Sequence, residues 1–308
     1  MVDYVERNAL LDPRTVEGEP PLWKQSPDNV CFRTDAGDRV ATDAAFMKAA
    51  HVTKVSVNIE RLVQNPLETR AYVGLYDPDD ARYTMHATAG KPQTVGRALA
   101  RDIFHLAEDR VRVITPDVGG GFGAKNPLYP EQALVLWTAQ QLGRPVRWVS
   151  MRGEGFLSDY QGRGQATDAE AAFDKDGTIL ALRVRARADL GGYLGPRGST
   201  AGGMWRIMGT SVYHIPAIHF DGAGVHTNRM PTCPYRGAGA PEAVFVIERL
   251  LDTTARELGL SSAEIRRHNL VPAEAMPYRT PAVSTYDSGD FAAAMDKAEA
   301  LADVAGFP

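Results

Sequence analysis

The chain has 308 residues, 44% of them hydrophobic and 23% charged, enough to bury a sizeable core as one large domain or two. A formal net charge of -4 leaves no basic excess for nucleic acid or an anionic membrane, and no apolar run reaches spanning length. Cys31 and Cys233, the only cysteines, cannot build a disulfide framework or a four-cysteine cluster, and the start, with Asp3 and Glu6, does not read as a signal peptide, so a reducing cytoplasm is the default compartment.

Residues 1–40 show no sustained period and are broken by Asp12-Pro13, Glu19-Pro20-Pro21 and Ser26-Pro27, so 1–50 reads as an extended connector. From Lys54, the alternation of Val55, Val57 and Ile59 with polar residues predicts a half-buried strand. Two more strands, 71–76 and 83–86, follow across the turn Asp77-Pro78-Asp79-Asp80. Behind Pro92, the spacing of Val95, Leu99, Ile103 and Leu106 predicts an amphipathic helix over 92–106. A strand at 111–115, a helix at 131–142 and a strand at 145–150 complete a β-α-β-α-β run.

Between that strand and helix lies Val118-Gly119-Gly120-Gly121-Phe122-Gly123-Ala124-Lys125-Asn126. Four glycines in five positions let successive backbone amides approach one bound group, which is how a loop makes an anion site; a tight turn without ligand is the plainer reading. Gly119-x-Gly121-x-x-Ala124 also satisfies the loose dinucleotide pattern, but Pro127 and Pro130 delay the helix past the glycines and no acidic residue ends the next strand. The phosphate-loop pattern fails too, because Ala124 precedes Lys125 and Asn126 follows it.

Further on, 167–173 and 179–189 predict two long strands joined by the turn Asp174-Lys175-Asp176-Gly177. Residues 190–210 are glycine-rich (Gly191, Gly192, Gly195 before Pro196, Gly198, Gly202, Gly203), yet Tyr193, Trp205 and Met208 within them argue for an ordered loop or short helix under cover. A strand at 218–226 leads to Pro234-Tyr235-Arg236-Gly237-Ala238-Gly239. There Arg236 projects from a glycine-lubricated loop at a helix start, either an anion contact or a solvated surface arginine. The helix, 241–258, presents Val246, Ile247, Leu250, Leu251, Thr254 and Leu258 on one face and stops at Gly259. Ser261 and Glu264 then form a capping box, and another helix starts near Asp290. The whole reads as α+β, mixed sheets with packed helices. The seven histidines show no metal-ligand spacing.

The run 117–125, the run from Asn228 through 234–243, and the tail of Arg266-Arg267-His268-Asn269-Leu270 with Pro277-Tyr278-Arg279-Thr280 resemble the molybdopterin-binding large subunit of the xanthine dehydrogenase, aldehyde oxidase and carbon monoxide dehydrogenase family. The stretches 28–32 and 285–290 extend the resemblance over nearly the whole chain. It implies a molybdenum cofactor held by pterin dithiolene sulfurs, in the molybdopterin or molybdopterin cytosine dinucleotide form. With it come hydroxylation of an aldehyde, N-heterocycle or similar small substrate by water-derived oxygen, and electrons passed to 2Fe-2S and FAD partner subunits. It further implies that Gly120, Gly121, Phe122 and Gly123 lie beside the cofactor with Tyr235, Arg236, Gly237 and Ala238, and that Arg236 faces the substrate or the metal's ligands. In this reading 51–308 is the first half of the molybdopterin-binding domain, with two α/β subdomains: 51–160 plus 230–308, and a β-rich 161–229.

Some positions depart from the family. Where relatives carry a glutamine ahead of the first loop this chain places Ala89, with Gln93 the alternative after a local insertion. Gly237 follows Tyr235-Arg236 where copper-containing relatives have a cysteine, and Cys233 comes three residues too early, so a molybdenum-copper centre is not expected. Asn126 stands where purine oxidisers have glutamate. The general base, carried by a Gly-Glu motif in the family's second half, has no counterpart among 1–308. Glu131, Glu154 and Asp159 read instead as a helix-start acid and two solvated loop acids. A heteromer with a chain supplying that half is therefore expected, or else a non-catalytic fragment or assembly module of such a subunit.

Overall fold

The structure is a computed structural model that describes residues 3, 5, 9–195, 198, 203–304 and 306; Pro196 and Gly202 of the glycine-rich stretch lie outside the described residues. Two sheets organise it. The larger runs in the order β1 (Val30–Gly37), β9 (Ala217–His226), β8 (Ile179–Gly191), β7 (Gly162–Phe173), β2 (His51–Leu62); β8 and β9 are parallel and the other pairs antiparallel. The smaller runs β5 (Val111–Ile114), β4 (Arg82–Ala87), β3 (Ala71–Asp77), β6 (Val146–Val149), with β4 and β5 parallel. The mixed α+β class follows directly.

One face of the larger sheet is covered by α5 (Trp205–Met208), α6 (Ala240–Leu258) and α7 (Ser262–Asn269). Helix α6 forms where its pattern places it: Pro241 opens it, Gly259 ends it in the left-handed region, and Val246, Ile247, Leu250, Leu251 and Thr254 are buried. Each of its large aliphatic side chains gains about 1.5–3 kcal/mol on burial, against the ordering entropy of the helix. The capping box expected of α7 is present, Ser261 Oγ accepting from Glu264 N at 3.1 Å. Around the smaller sheet, α2 (Pro92–Ala98) and α3 (Pro130–Leu142) close a second core on Tyr72, Met85, Leu99 and Leu136. The helix expected to reach 106 changes to π-helical winding over 99–104 and stops at His105 in a left-handed conformation.

Two expectations give way here. Residues 1–50 are not an extended connector throughout: β1 forms an edge of the larger sheet, and α1 (Arg39–Lys48) packs Ala45 and Phe46 on the sheet's other face. Ahead of them, the buried Asn29 donates to the carbonyls of Val16, Glu19 and Pro20 and accepts from Leu22 N, pinning the proline-rich run to the sheet. The grouping of 51–160 with 230–308 also fails, because α6 and α7 share the core of the larger sheet, to which β2 belongs too. The alternating β2 pattern paired with β7, some 110 residues on, decides that arrangement. Helix α4 (Arg152–Ser158) was not anticipated. Among the described residues no helix is long and apolar enough to cross a membrane.

Candidate functional site

The two glycine loops meet. Loop 118–126 leaves the smaller sheet after β5, loop 233–239 leads into α6 on the larger one, and Arg236 N donates to Phe122 O at 3.0 Å. Gly123 makes this approach possible: a Cβ there would sit 1.7 Å from the Pro234 carbonyl oxygen, and its φ of +110° is open only to glycine at low cost. Phe122 and Ala238 adopt left-handed backbone as well, φ +51° and +48°, so both loops hold non-glycine residues in sparsely populated conformations. Phe122 is 43% exposed, and the Arg236 side chain is exposed with no hydrogen bond or ion pair to a described residue.

Backbone donors are left over. Gly119 N is satisfied by the Glu68 carboxylate at 2.8 Å, whereas among the described residues the amides of Gly121, Phe122 and Gly123 donate to no protein acceptor. Three amides without a protein acceptor on one loop, and an unattached guanidinium on the loop bonded to it, are donors suited to an anionic or oxygen-rich ligand. The dinucleotide alternative finds no support, since α3 begins at Pro130, seven residues beyond Gly123. Tyr235 is partly buried, Gly237 is exposed, and Ala238 N closes the turn onto Tyr235 O.

Beneath the loops is a layer of charged side chains that composition does not announce. Lys125, 2% exposed, binds Glu68 at 2.7 Å, so one carboxylate ties together the start and end of the first loop. Partial burial pushes the Glu68 carboxyl up, but the Lys125 and Gly119 bonds outweigh it and hold it below the ordinary range; burial lowers the Lys125 ammonium while Glu68 opposes this. Arg70, 1% exposed, donates to Asp159 at 2.7 Å and Glu131 at 2.9 Å and stacks 3.7 Å from the Tyr129 ring centroid. Tyr129 in turn donates through its hydroxyl to Ala124 O at 2.8 Å. Asp159, expected to be a solvated loop acid, is buried because Arg70 needs its charge; Glu131 is both the first-turn acid anticipated and the second partner of Arg70. Glu154, expected in a solvated loop, is half-buried in the first turn of α4 and accepts from Met151 N at 3.2 Å.

The Glu68 tie carries a pH dependence. With its folded pKa below that of the unfolded chain, Glu68 stabilises the loop above the ordinary carboxylate pKa of about 4.3, and this contribution disappears as pH falls through the lower folded value. Amide exchange at Gly119, corrected for intrinsic rate, should therefore accelerate as pH falls below about 4.3. Glu68→Gln should abolish that pH response; an unchanged profile in the variant would show that Glu68 is not the titrating tie.

Cys233 opens the second loop but faces inward. Gln64 Nε2 donates to its sulfur at 3.2 Å, the thiol points at Gly123 O at 3.7 Å, and burial pushes the thiol up to about 12. Ala89 is buried, and its neighbour Gly90 donates to Lys125 O at 2.9 Å, whereas Gln93 is exposed in the first turn of α2. The segment holding Ala89 thus packs against the end of the first loop. The third glycine-rich stretch joins the same region: Gly192 N donates to Arg229 O at 2.9 Å, and Trp205 is buried, though Tyr193 is 48% exposed. Among the described residues no group of His, Cys, Asp or Glu could hold a metal ion by itself.

Glu68, Arg70 and Arg163 were missed from sequence. Only Arg163, set between Gly162 and Gly164 at the start of a strand, carried a signal.

A model of the molybdopterin cofactor-binding domain matches residues 22–270. The chain is 36% identical to the carbon monoxide dehydrogenase large chain of Hydrogenophaga pseudoflava, over 96% of its own length and 39% of the relative's. It is 33% identical to the nicotine 6-hydroxylase large subunit of Paenarthrobacter nicotinovorans, over 97% and 37%. Among solved structures, CO dehydrogenase from Oligotropha carboxidovorans superposes with a TM-score of 0.90 at 33% identity, covering 98% of this chain and 40% of that one. Quinoline 2-oxidoreductase from Pseudomonas putida 86 also gives 0.90, at 32% identity, covering 100% and 39%. The chain spans about two fifths of the length of these relatives.

Proposed function

This chain belongs to the molybdopterin cofactor-binding domain family, and from that premise we propose that its two joined loops form one wall of a molybdenum cofactor site in the large subunit of a molybdenum hydroxylase. The observation that carries this is the Arg236 N to Phe122 O bond, which joins the loop whose three amides have no protein acceptor to the loop that carries an unattached guanidinium. That donor set fits a pterin-bound, oxygen-bearing molybdenum group. Gly121, Phe122 and Gly123 would hold it through backbone N–H, with Gly120 shaping the turn. Tyr235, Gly237 and Ala238 set the second loop's path, and Arg236 orients the substrate or an oxygen ligand.

When bound, such a group supplies oxidative hydroxylation of a substrate carbon with oxygen from water. The chain's own part is to orient and to exclude water. Among the described residues, the acids packed beneath the loops are already engaged, Glu131 and Asp159 by Arg70 and Glu68 by Lys125. The base therefore comes from the other three fifths of the relatives' length, on whichever chain carries it, together with further contacts to a cytosine dinucleotide form of the cofactor. The relatives are named as large chains or large subunits, which supports a heteromer with an iron-sulfur subunit and an FAD subunit. The substrate class is an aldehyde, an N-heterocycle or a similar small molecule, a purine being disfavoured by Asn126. Two free thiols suit a cytoplasmic assembly.

Metal analysis and subunit identification on the tagged chain purified from its native host test the proposal. Roughly one molybdenum per chain, with co-purifying iron-sulfur and flavin subunits, is expected. Absence of both molybdenum and partners would replace it with a non-catalytic assembly module.

A further inference from the structure

We propose that Arg163 is the positioning residue that holds Arg236 in place. Its side chain lies beneath the second loop, 12% exposed, and makes four contacts there. Nη1 pairs with Glu242 at 3.0 Å, a carboxylate 1% exposed in the first turn of α6. Nη1 also reaches Tyr235 O at 3.4 Å, Nη2 donates to Arg236 O at 3.0 Å, and the guanidinium carbon lies 4.6 Å from the centroid of the Tyr235 ring. Only a planar, multiply donating cation can serve a carboxylate, two carbonyls and an aromatic face together; a lysine ammonium offers one point of charge.

The backbone of Arg236 is thereby gripped at both ends. Phe122 O accepts from its N–H and Arg163 Nη2 donates to its C=O, while its own side chain stays unattached. On either side of Arg163, Gly162 and Gly164 leave room: a Cβ at Gly162 would lie 2.4 Å from Tyr235 Cβ. Arg163 itself takes φ +63°, an uncommon conformation for a non-glycine residue, which turns its side chain from the β2–β7 ladder toward the loop. Strain of this kind persists where the surroundings over-determine it, and Arg163 is held there by Glu242, two carbonyls and the Tyr235 ring. Arg163 acts on the site only through Arg236, and its relevance to chemistry rests on the cofactor reading above.

The test is tryptic cleavage of the native full-length chain at the Arg236–Gly237 bond, followed by mass spectrometry beside thermal melting. Releasing the clamp should expose that bond by local opening. Arg163→Met should raise its cleavage rate by about tenfold or more, Arg163→Lys by less, while cleavage elsewhere and the melting midpoint stay near wild type. Because Lys and Met inherit the same backbone φ, the comparison isolates the guanidinium. Should Arg163→Met not fold, Glu242→Gln keeps Arg163 but removes its countercharge and should loosen the same bond. Unchanged cleavage at Arg236–Gly237 in the folded variants overturns the proposal, as does a rise spread evenly over the chain with a lowered midpoint. Cleavage reports loop position whether or not cofactor is present, so the cofactor reading fails separately, through an unchanged molybdenum content in Arg236→Ala.

Discussion

Gly123→Ala should separate the two loops and strip the assembled protein of its cofactor. The new methyl would lie 1.7 Å from the Pro234 carbonyl oxygen, inside any attainable contact distance, and the backbone at φ +110° would itself be strained. The left-handed strain alone costs on the order of 1–3 kcal/mol, and relieving the clash requires moving a backbone segment that no rotamer change can spare. The Arg236 N to Phe122 O bond breaks as the loops part. Molybdenum content of the purified complex should fall by about tenfold or more, the equivalent of about 1.4 kcal/mol or more of lost binding. Both cores lie outside the seam and keep their packing, so near-wild-type circular dichroism should accompany the loss. Full molybdenum occupancy in this variant would show that the contact between the loops is not what shapes the site.

Arg70→Met should be strongly destabilising. It strands Asp159 and Glu131 without their cation, and breaking a buried pair from one side costs about 3–5 kcal/mol. For a domain of this size the melting midpoint should fall by on the order of ten degrees. Methionine fills the space but cannot support Tyr129, whose hydroxyl holds Ala124 at the end of the first loop, so the site loosens as well. Adding Asp159→Asn and Glu131→Gln to Arg70→Met should recover most of the loss, because neutral amides no longer demand a countercharge. If the triple variant is no more stable than Arg70→Met alone, lost packing rather than stranded charge is responsible.

These two replacements differ in how they could be found. Gly123 belongs to a glycine run that is conspicuous in sequence, and only its partner Pro234 is not. Arg70 offers no local sign: it precedes an ordinary strand, and the acids it binds come 61 and 89 residues later. The same holds for β1. Its residues carry little alternation, and it becomes a strand because β9, nearly two hundred residues away, offers an edge to pair with. Asp159 was misread for a related reason, since an acid in a polar stretch looks solvated until a buried arginine is placed against it.

The sequence alone determined the elements whose signals are complete within a few turns of chain. These are the amphipathic face and glycine stop of α6, the Ser261 capping box, the hairpin at Asp174 to Gly177, and the two low-bulk loops with Arg236 among them. Periodicity, capping and turn chemistry are local, so they can be read in order along the chain. Tertiary structure alone decided that the loops touch, that Glu68, Arg70 and Arg163 support them from beneath, and that α6 and α7 serve the larger sheet. Each of those facts depends on which distant charge or strand edge lies opposite. Burial forces such charges to pair, but the identity of the partner follows only from where the two sheets bring the chain together.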